Sequence, residues 1–256
     1  MKDILQEIVA TKRAEIDRRK RETDFQALYR QAETPRTTRH SLREALRSSS
    51  TGIISEFKRR SPSKGWINRD ADVQSVVRAY QQAGATALSI LTDTPYFGGT
   101  DDDLRSARQA CSLPILRKDF TIDEFQLVES RVLGADAVLL IAAALTREQC
   151  RRFAEIAHQL ELEVLLEIHD QSELDYYSEY VDVLGVNNRN LGSFHTDVAN
   201  SFRLIEQMPQ EATPISESGI SNPDTVKELR AIGFKGFLIG ENFMKTETPG
   251  DSLKSF

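Results

Sequence analysis

The feature that most constrains this chain is an eightfold recurrence of short aliphatic or β-branched runs, each followed by a polar stretch and then by apolar residues at helical spacing. Strands are expected near residues 53–57, 88–91, 115–117, 137–141, 164–168, 183–186, 214–216 and 237–239. Successive centres lie about 20–35 residues apart, room for one strand, one crossover helix and two loops. Near-continuous apolar strands joined by helices imply a parallel sheet covered on its outer face. Eight such units favour closure into an α/β fold of the (β/α)8 TIM-barrel type over the alternative, an open doubly wound sheet.

The helices between the strands carry end signals. Thr121-Ile122-Asp123-Glu124 and Thr146-Arg147-Glu148-Gln149 both fit a capping box, in which a hydroxyl and a carboxylate or amide satisfy orphan N–H groups reciprocally. Ser221-Asn222-Pro223 opens a further helix with proline just inside it. Helical spacing marks Val73, Val76, Val77 and Tyr80, and also Val226, Leu229 and Ile232, as buried faces. Gly84 and Gly134 each begin a Gly-Ala-x-Ala-aliphatic stretch leading into the next strand, as if one module were used twice.

Residues 1–50 stand outside this pattern and read as a helical extension packed on a barrel of residues 51–256, the whole of 1–256 forming one domain. The extension begins with an amphipathic stretch (Ile4, Leu5, Ile8, Val9) and runs into the basic segment from Thr11 to Arg21, read as the solvated face of a helix. Residues 48–52 are a short linker. The last helix is expected to be short, within residues 244–256, with no residues left over for a fused second enzyme.

Composition removes several classes. The longest apolar run, Ala137 to Leu145, is far below the ~20 residues of a bilayer crossing, and the charged N-terminus lacks a signal peptide's apolar centre, so a cytoplasmic, non-membrane protein is expected. A net charge of −6 argues against nonspecific nucleic-acid binding while leaving room for a local cationic pocket. Cys111 and Cys150 form neither CxxC nor a Cys/His cluster and read as buried helix residues rather than a disulfide or zinc ligands.

In barrels of this kind chemistry gathers where strands end. Glu56 and Lys58 close strand one, two residues apart and therefore on one face. Lys118 follows strand three, where it could act as general acid, Schiff-base nucleophile or anion anchor. Glu167 follows apolar residues of strand five, a placement that is costly without a partner or a task; Lys118 is the obvious partner. Asn187-Asn188-Arg189-Asn190 offers neutral donors and a guanidinium suited to hydroxyl and carboxylate recognition. Glu217-Ser218-Gly219-Ile220 and Gly240-Glu241-Asn242 close strands seven and eight, whose loops frequently hold phosphate. The residues alone thus define an anionic substrate in a cationic cup, compatible with a phosphosugar lyase, isomerase or aldolase, or with a binding module.

Five segments in the same order resemble the indole-3-glycerol phosphate synthase family: Ile54-Ser55-Glu56-Phe57-Lys58-Arg59-Arg60-Ser61-Pro62-Ser63-Lys64-Gly65, Leu88-Ser89-Ile90-Leu91-Thr92-Asp93 with Phe97-Gly98-Gly99, Pro114-Ile115-Leu116-Arg117-Lys118-Asp119-Phe120, Val186-Asn187-Asn188-Arg189-Asn190-Leu191, and Ser216-Glu217-Ser218-Gly219-Ile220. The resemblance spans nearly the whole chain, extension included. It implies a lyase of tryptophan biosynthesis that decarboxylates and dehydrates 1-(2-carboxyphenylamino)-1-deoxyribulose 5-phosphate to indole-3-glycerol phosphate. No metal or organic cofactor is implied. Carried over by motif, Lys118 is the general acid of condensation, Lys58 holds the substrate carboxylate, Glu167 is the base of dehydration assisted by Glu56, and Asn187 positions the hydroxyl or carboxylate. Ser218, Gly219, Gly240 and the backbone of Glu241 cradle the phosphate, with Ser61 and Arg189 in support. Phe57, Trp66, Phe97, Phe120 and Leu191 are candidates to sandwich the aromatic ring, although Trp66 is bulky for a segment that has to move. The expected partner is the small phosphorylated substrate alone, in a monomer or homodimer, with weak contact to other tryptophan-pathway enzymes.

Overall fold

The structure, a computed structural model, describes residues 4–36, 38–190, 192 and 194–256. Three helices come first: α1 (Ile4–Glu22), α2 (Phe25–Ala32) and α3 (Leu42–Ser48). Eight parallel strands then close into a barrel: β1 (Ile53–Phe57), β4 (Ala87–Leu91), β5 (Ile115–Lys118), β6 (Ala137–Ile141), β7 (Glu163–Ile168), β8 (Val183–Asn187), β9 (Pro214–Glu217) and β10 (Gly236–Ile239). A small antiparallel hairpin, β2 (Arg60–Ser61) and β3 (Gly65–Trp66), interrupts the first crossover. The outer ring is α4 (Val73–Gln82), α5 (Thr94–Phe97) with α6 (Asp101–Ala110), α7 (Glu124–Leu133), α8 (Arg147–Gln159), α9 (Ala199–Leu204) and α10 (Pro223–Ala231), followed by α11 (Glu241–Met244) and α12 (Pro249–Ser255). Between β7 and β8 the crossover is only a 3-10 helix, Gln171–Tyr176, so the alternation is irregular there.

Two apolar layers hold the barrel. Alternate strand residues point inward, where Ile54, Leu116, Leu139, Leu165, Ile215 and Leu238 pack together. Their neighbours point outward against the helices, as with Val138, Leu140, Leu166 and Leu184. Val73, Val76, Val77 and Tyr80 are all buried as the helical spacing requires, and Leu229 is buried, but Ile232 is 42% exposed because it lies past the end of α10. Gly84 and Gly134 both adopt positive φ, +92° and +95°, at the helix exits that the repeated module marks.

Three local expectations need correction. The helix after β5 starts two residues later than Thr121 suggests: Asp123 is the N-cap and its box partner is Gln126, whereas Thr146 and Gln149 form the box as read. Cys150 is buried within α8, but Cys111 is half-buried at the C-terminal cap of α6. Ser48 belongs to α3 rather than to the linker.

The basic run of α1 is also not wholly solvated. Lys12 is 2% exposed, and its ammonium lies 3.0 Å from each of Glu15, Asp93 and Asp119. The buried stripe of the helix is Leu5, Ile8, Lys12 and Ile16, so a cation occupies an apolar position and docks α1 on the loops after β4 and β5. Among the described residues no helix is long and apolar enough to cross a membrane.

Candidate active site

The strands end in the residues that carry chemistry. Lys118, Asn187 and Glu217 are the last residues of β5, β8 and β9, and each of these strands runs one residue beyond its expected end. Glu56 and Glu167 face the same interior because inward positions alternate along β1 and β7. Together they floor a cavity of about 460 Å³, within the usual range for small-molecule sites.

One ammonium organises the floor. Lys118 Nζ is 3.0 Å from Glu167 Oε2 and 3.0 Å from Glu217 Oε2. Asn187 Nδ2 donates to Glu167 Oε1 at 3.0 Å, so both oxygens of that carboxylate are held. Beside them Lys58 Nζ lies 2.6 Å from Glu56 Oε1, as the two-residue spacing requires. Gly240 lets β10 close against this pair, since a methyl group there would collide with Glu56 Oε1.

Electrostatics separate the groups. Burial lowers the Lys118 pKa, but the carboxylates of Glu167, Glu217 and Glu56 outweigh it and hold the amine protonated, settling a balance that sequence could not. Burial raises Glu167, yet Lys118 and its other donors bring it below the usual carboxylate value. Glu217 goes the other way: burial and the neighbouring Glu167 and Glu56 push it up to about 7, despite Lys118. Sequence reasoning missed Glu217 as a site residue. The signal was available, a carboxylate at the end of an apolar strand, the same one that marks Glu167.

The cavity is also lined by Ser218, Gly219, Gly240 and Glu241, joined by Ser221, Asn242 and Lys245, which were not anticipated. Ser218 and Gly219 have φ of +68° and +77°. Such a conformation is uncommon for serine and clusters at ligand-binding turns. Above the cavity the β2–β3 hairpin reaches across: Arg189 Nη1 donates to Ser63 Oγ at 3.0 Å, and Lys64 approaches Glu241 at 3.9 Å. Ser61 lines the cavity, and its buried Oγ has no hydrogen-bond partner among the described residues.

The aromatic candidates divide. Phe97 and Phe120 line the cavity with ring centroids 6.1 Å apart. Phe57 does not, because it points outward into the helix-facing core. Trp66 does not either; it is 48% exposed and lies over Gly98 between Arg60 and Arg69. Leu191 lies outside the described residues. Ile4, Leu5 and Ile8 of α1 complete the apolar wall, a contribution invisible until the extension is folded over the barrel mouth.

Fold and site together define a TIM barrel whose strand ends gather two lysines and three carboxylates around one cavity. The model of the family described as indole-3-glycerol phosphate synthase matches residues 5–256. A curated protein of that description from Bacteroides thetaiotaomicron is 56% identical over 256 residues, covering 100% of this chain and 98% of its own length. Another from Neisseria meningitidis serogroup B is 43% identical, with 96% of each chain covered. Among solved structures, 3-hexulose-6-phosphate synthase from Salmonella typhimurium superposes with a TM-score of 0.62 at 13% identity, covering 79% of this chain and 95% of that one. Thiamine phosphate pyrophosphorylase from Pyrococcus furiosus gives 0.60 at 17% identity, covering 84% and 95%. These two share the barrel alone. The chain belongs to the indole-3-glycerol phosphate synthase family and is a carboxy-lyase.

Proposed function

We propose that the chain closes the indole ring of 1-(2-carboxyphenylamino)-1-deoxyribulose 5-phosphate, releasing carbon dioxide and water, as a step of tryptophan biosynthesis. The observation that carries this reading is the Lys118 ammonium clamped between Glu167 and Glu217 in a cavity that the positive-φ turn of Ser218 and Gly219 also lines.

Placement supports each role. Lys118 is a proton donor aimed into the cavity, so it polarises and protonates the substrate ketone as the ring carbon bearing the carboxylate attacks. The same carboxylates oppose the neutral amine that a Schiff-base aldolase would need, which favours the acid over the nucleophile. Lys58 pairs with the substrate carboxylate until carbon dioxide leaves, and then serves as donor to the departing hydroxyl. Glu167, kept ionised, takes the proton that dehydration releases, with Glu56 in support and Asn187 orienting carboxylate and hydroxyl. Ser218, Gly219, Gly240 and the Glu241 backbone receive the phosphate, where glycine permits close approach of N–H groups, while Ser61 and Arg189 close over it. Phe97, Phe120 and the α1 side chains hold the aromatic ring.

The test is incubation with this substrate in chelator-treated buffer while indole fluorescence is followed. A rise that disappears in folded Lys118→Met supports the reading. Wild-type rates in that variant, or borohydride trapping of an adduct on Lys118, would overturn it in favour of another role for the lysine.

A further inference from the structure

Behind the floor of the cup lies a histidine that the roles above leave unused. His169 follows β7, two residues after Glu167, and its side chain is 13% exposed. Nε2 is 3.4 Å from Glu167 Oε1, and Nδ1 is 3.5 Å from Glu173 Oε2 in the 3-10 helix. Both separations are within ion-pair range, although neither nitrogen meets hydrogen-bond geometry among the described residues. The backbone fixes the ring: the His169 N–H donates to Glu173 Oε2 at 2.6 Å, and its carbonyl accepts from Asn200 Nδ2 at 2.8 Å. His169 does not line the cavity.

The two atoms that face the ring are carboxylate oxygens, which only accept. A neutral imidazole carries one donor and one lone pair, so one nitrogen would oppose a carboxylate; the imidazolium presents a donor to each. The charge of the cup agrees. Lys58 and Lys118 are already matched by Glu56 and by Glu167 with Glu217, and Glu167 and Glu173 flank the ring on either side. The titratable groups around His169 are Glu167 from β7, Glu173 from the 3-10 helix and Glu217 from β9, and against the lowering effect of burial they raise its pKa. Asn200 of α9 is neutral, and Lys118 lies on the far side of Glu167.

We propose that His169 is a positioning residue for the reaction: as an imidazolium between Glu167 and Glu173, it orients the Glu167 carboxylate and holds it ionised, ready to accept a proton. The proposal rests on the reading of Glu167 as the base. Asn187 and His169 hold one carboxylate oxygen and Lys118 the other, which fixes the plane of the group.

Two variants separate charge from packing. His169→Gln keeps a donor without the charge, and His169→Leu removes both. In ligand-free protein carrying 13C-labelled glutamate carboxyl groups, the Glu167 resonance, identified by its loss in Glu167→Gln, is titrated by NMR. Its midpoint is expected to rise by about one pH unit in both variants, the size of an adjacent opposite charge removed. An unmoved midpoint in folded His169→Gln overturns the proposal. In the indole assay the acid limb of the kcat/KM profile should rise with it, so that the loss is roughly tenfold greater one pH unit below the wild-type midpoint than on the plateau. Equal loss at every pH marks a merely structural role and also overturns it. If wild-type protein forms no indole product but the midpoint still moves, the assignment of the reaction has failed, while the electrostatic hold of His169 on Glu167 stands.

Discussion

Lys118 Nζ and Glu217 Oε2 are 3.0 Å apart, joining the ends of β5 and β9 from opposite sides of the closed barrel. The pair shares its ammonium with Glu167, so one cation serves two carboxylates with opposite pKa displacements. Glu167 is available as a base at neutral pH, whereas Glu217 is poised to carry a proton there.

Glu217 therefore makes stability fall as pH rises. Its folded pKa, about 7, lies above the ordinary value of 4.5. Between these values the folded chain binds a proton that the unfolded chain has released. The contribution is thus present in full below the unfolded pKa and is lost as pH rises through 7, a decline of roughly 3 kcal/mol for a displacement of this size. Glu217→Gln, which keeps the shape without the charge, should flatten that decline in denaturant melts recorded from pH 5 to 8. A variant whose melts track wild type across the range would show that the carboxyl is not protonated.

The floor also depends on a missing side chain. Gly185 of β8 faces Glu217, and a methyl group there would overlap Glu217 Oε1 and come within 3.1 Å of Leu165 Cδ1. Gly185→Ala should cost about 1–3 kcal/mol of stability by overpacking and lower kcat by displacing Glu217 from Lys118. Urea melts and turnover check the two effects separately, and unchanged values of both would show that Glu217 has room to step aside.

What was legible in the sequence follows period and placement. The two-residue period of a strand put Glu56 beside Lys58, and the costly position of Glu167 after apolar residues pointed to Lys118. The same argument holds for Glu217, where the adjoining Ser-Gly turn gives a competing signal for phosphate. Lys12 was hidden in a run of charges, although the i, i+4 steps from Ile8 to Lys12 to Ile16 place it on the buried stripe. Phe57 and Trp66 show the limit: aromatic identity says nothing about which side of a strand or hairpin faces the ligand, and only the inward–outward register decides it.

Lys12 tests the docking of α1. Its removal leaves Asp93, nearly inaccessible, without its cation, and leaves Asp119 to Arg117, 3.6 Å away. Lys12→Met should destabilise the fold by about 3–5 kcal/mol, the usual cost of leaving a buried charge unpaired. Adding Asp93→Asn should recover part of that loss in the same thermal or urea melts. Full additivity of the two substitutions would mean that the contact is not coupled.

Trp66 offers a direct view of the hairpin over the cavity. It is the only tryptophan in the chain, lies against Gly98, and has the guanidinium carbons of Arg60 and Arg69 at 5.7 and 5.1 Å from its ring. The cation–π contacts stiffen the hairpin itself, while the packing on Gly98 and the Arg60 donation to the Pro95 carbonyl at 3.1 Å tie β2–β3 to the loop after β4. The hairpin carries Ser61 into the cavity and Ser63 to Arg189, so holding it down organises the ligand's cover. Two exposed cation–π contacts are worth together on the order of 1 kcal/mol, so Trp66→Leu should raise KM roughly fivefold and leave the chemical step itself little changed. Fluorescence of Trp66 should report the same coupling, shifting when a phosphate ligand is titrated into wild-type protein. An unchanged KM in the variant, with no spectral shift in the wild type, would mean that the hairpin closes without the tryptophan's help.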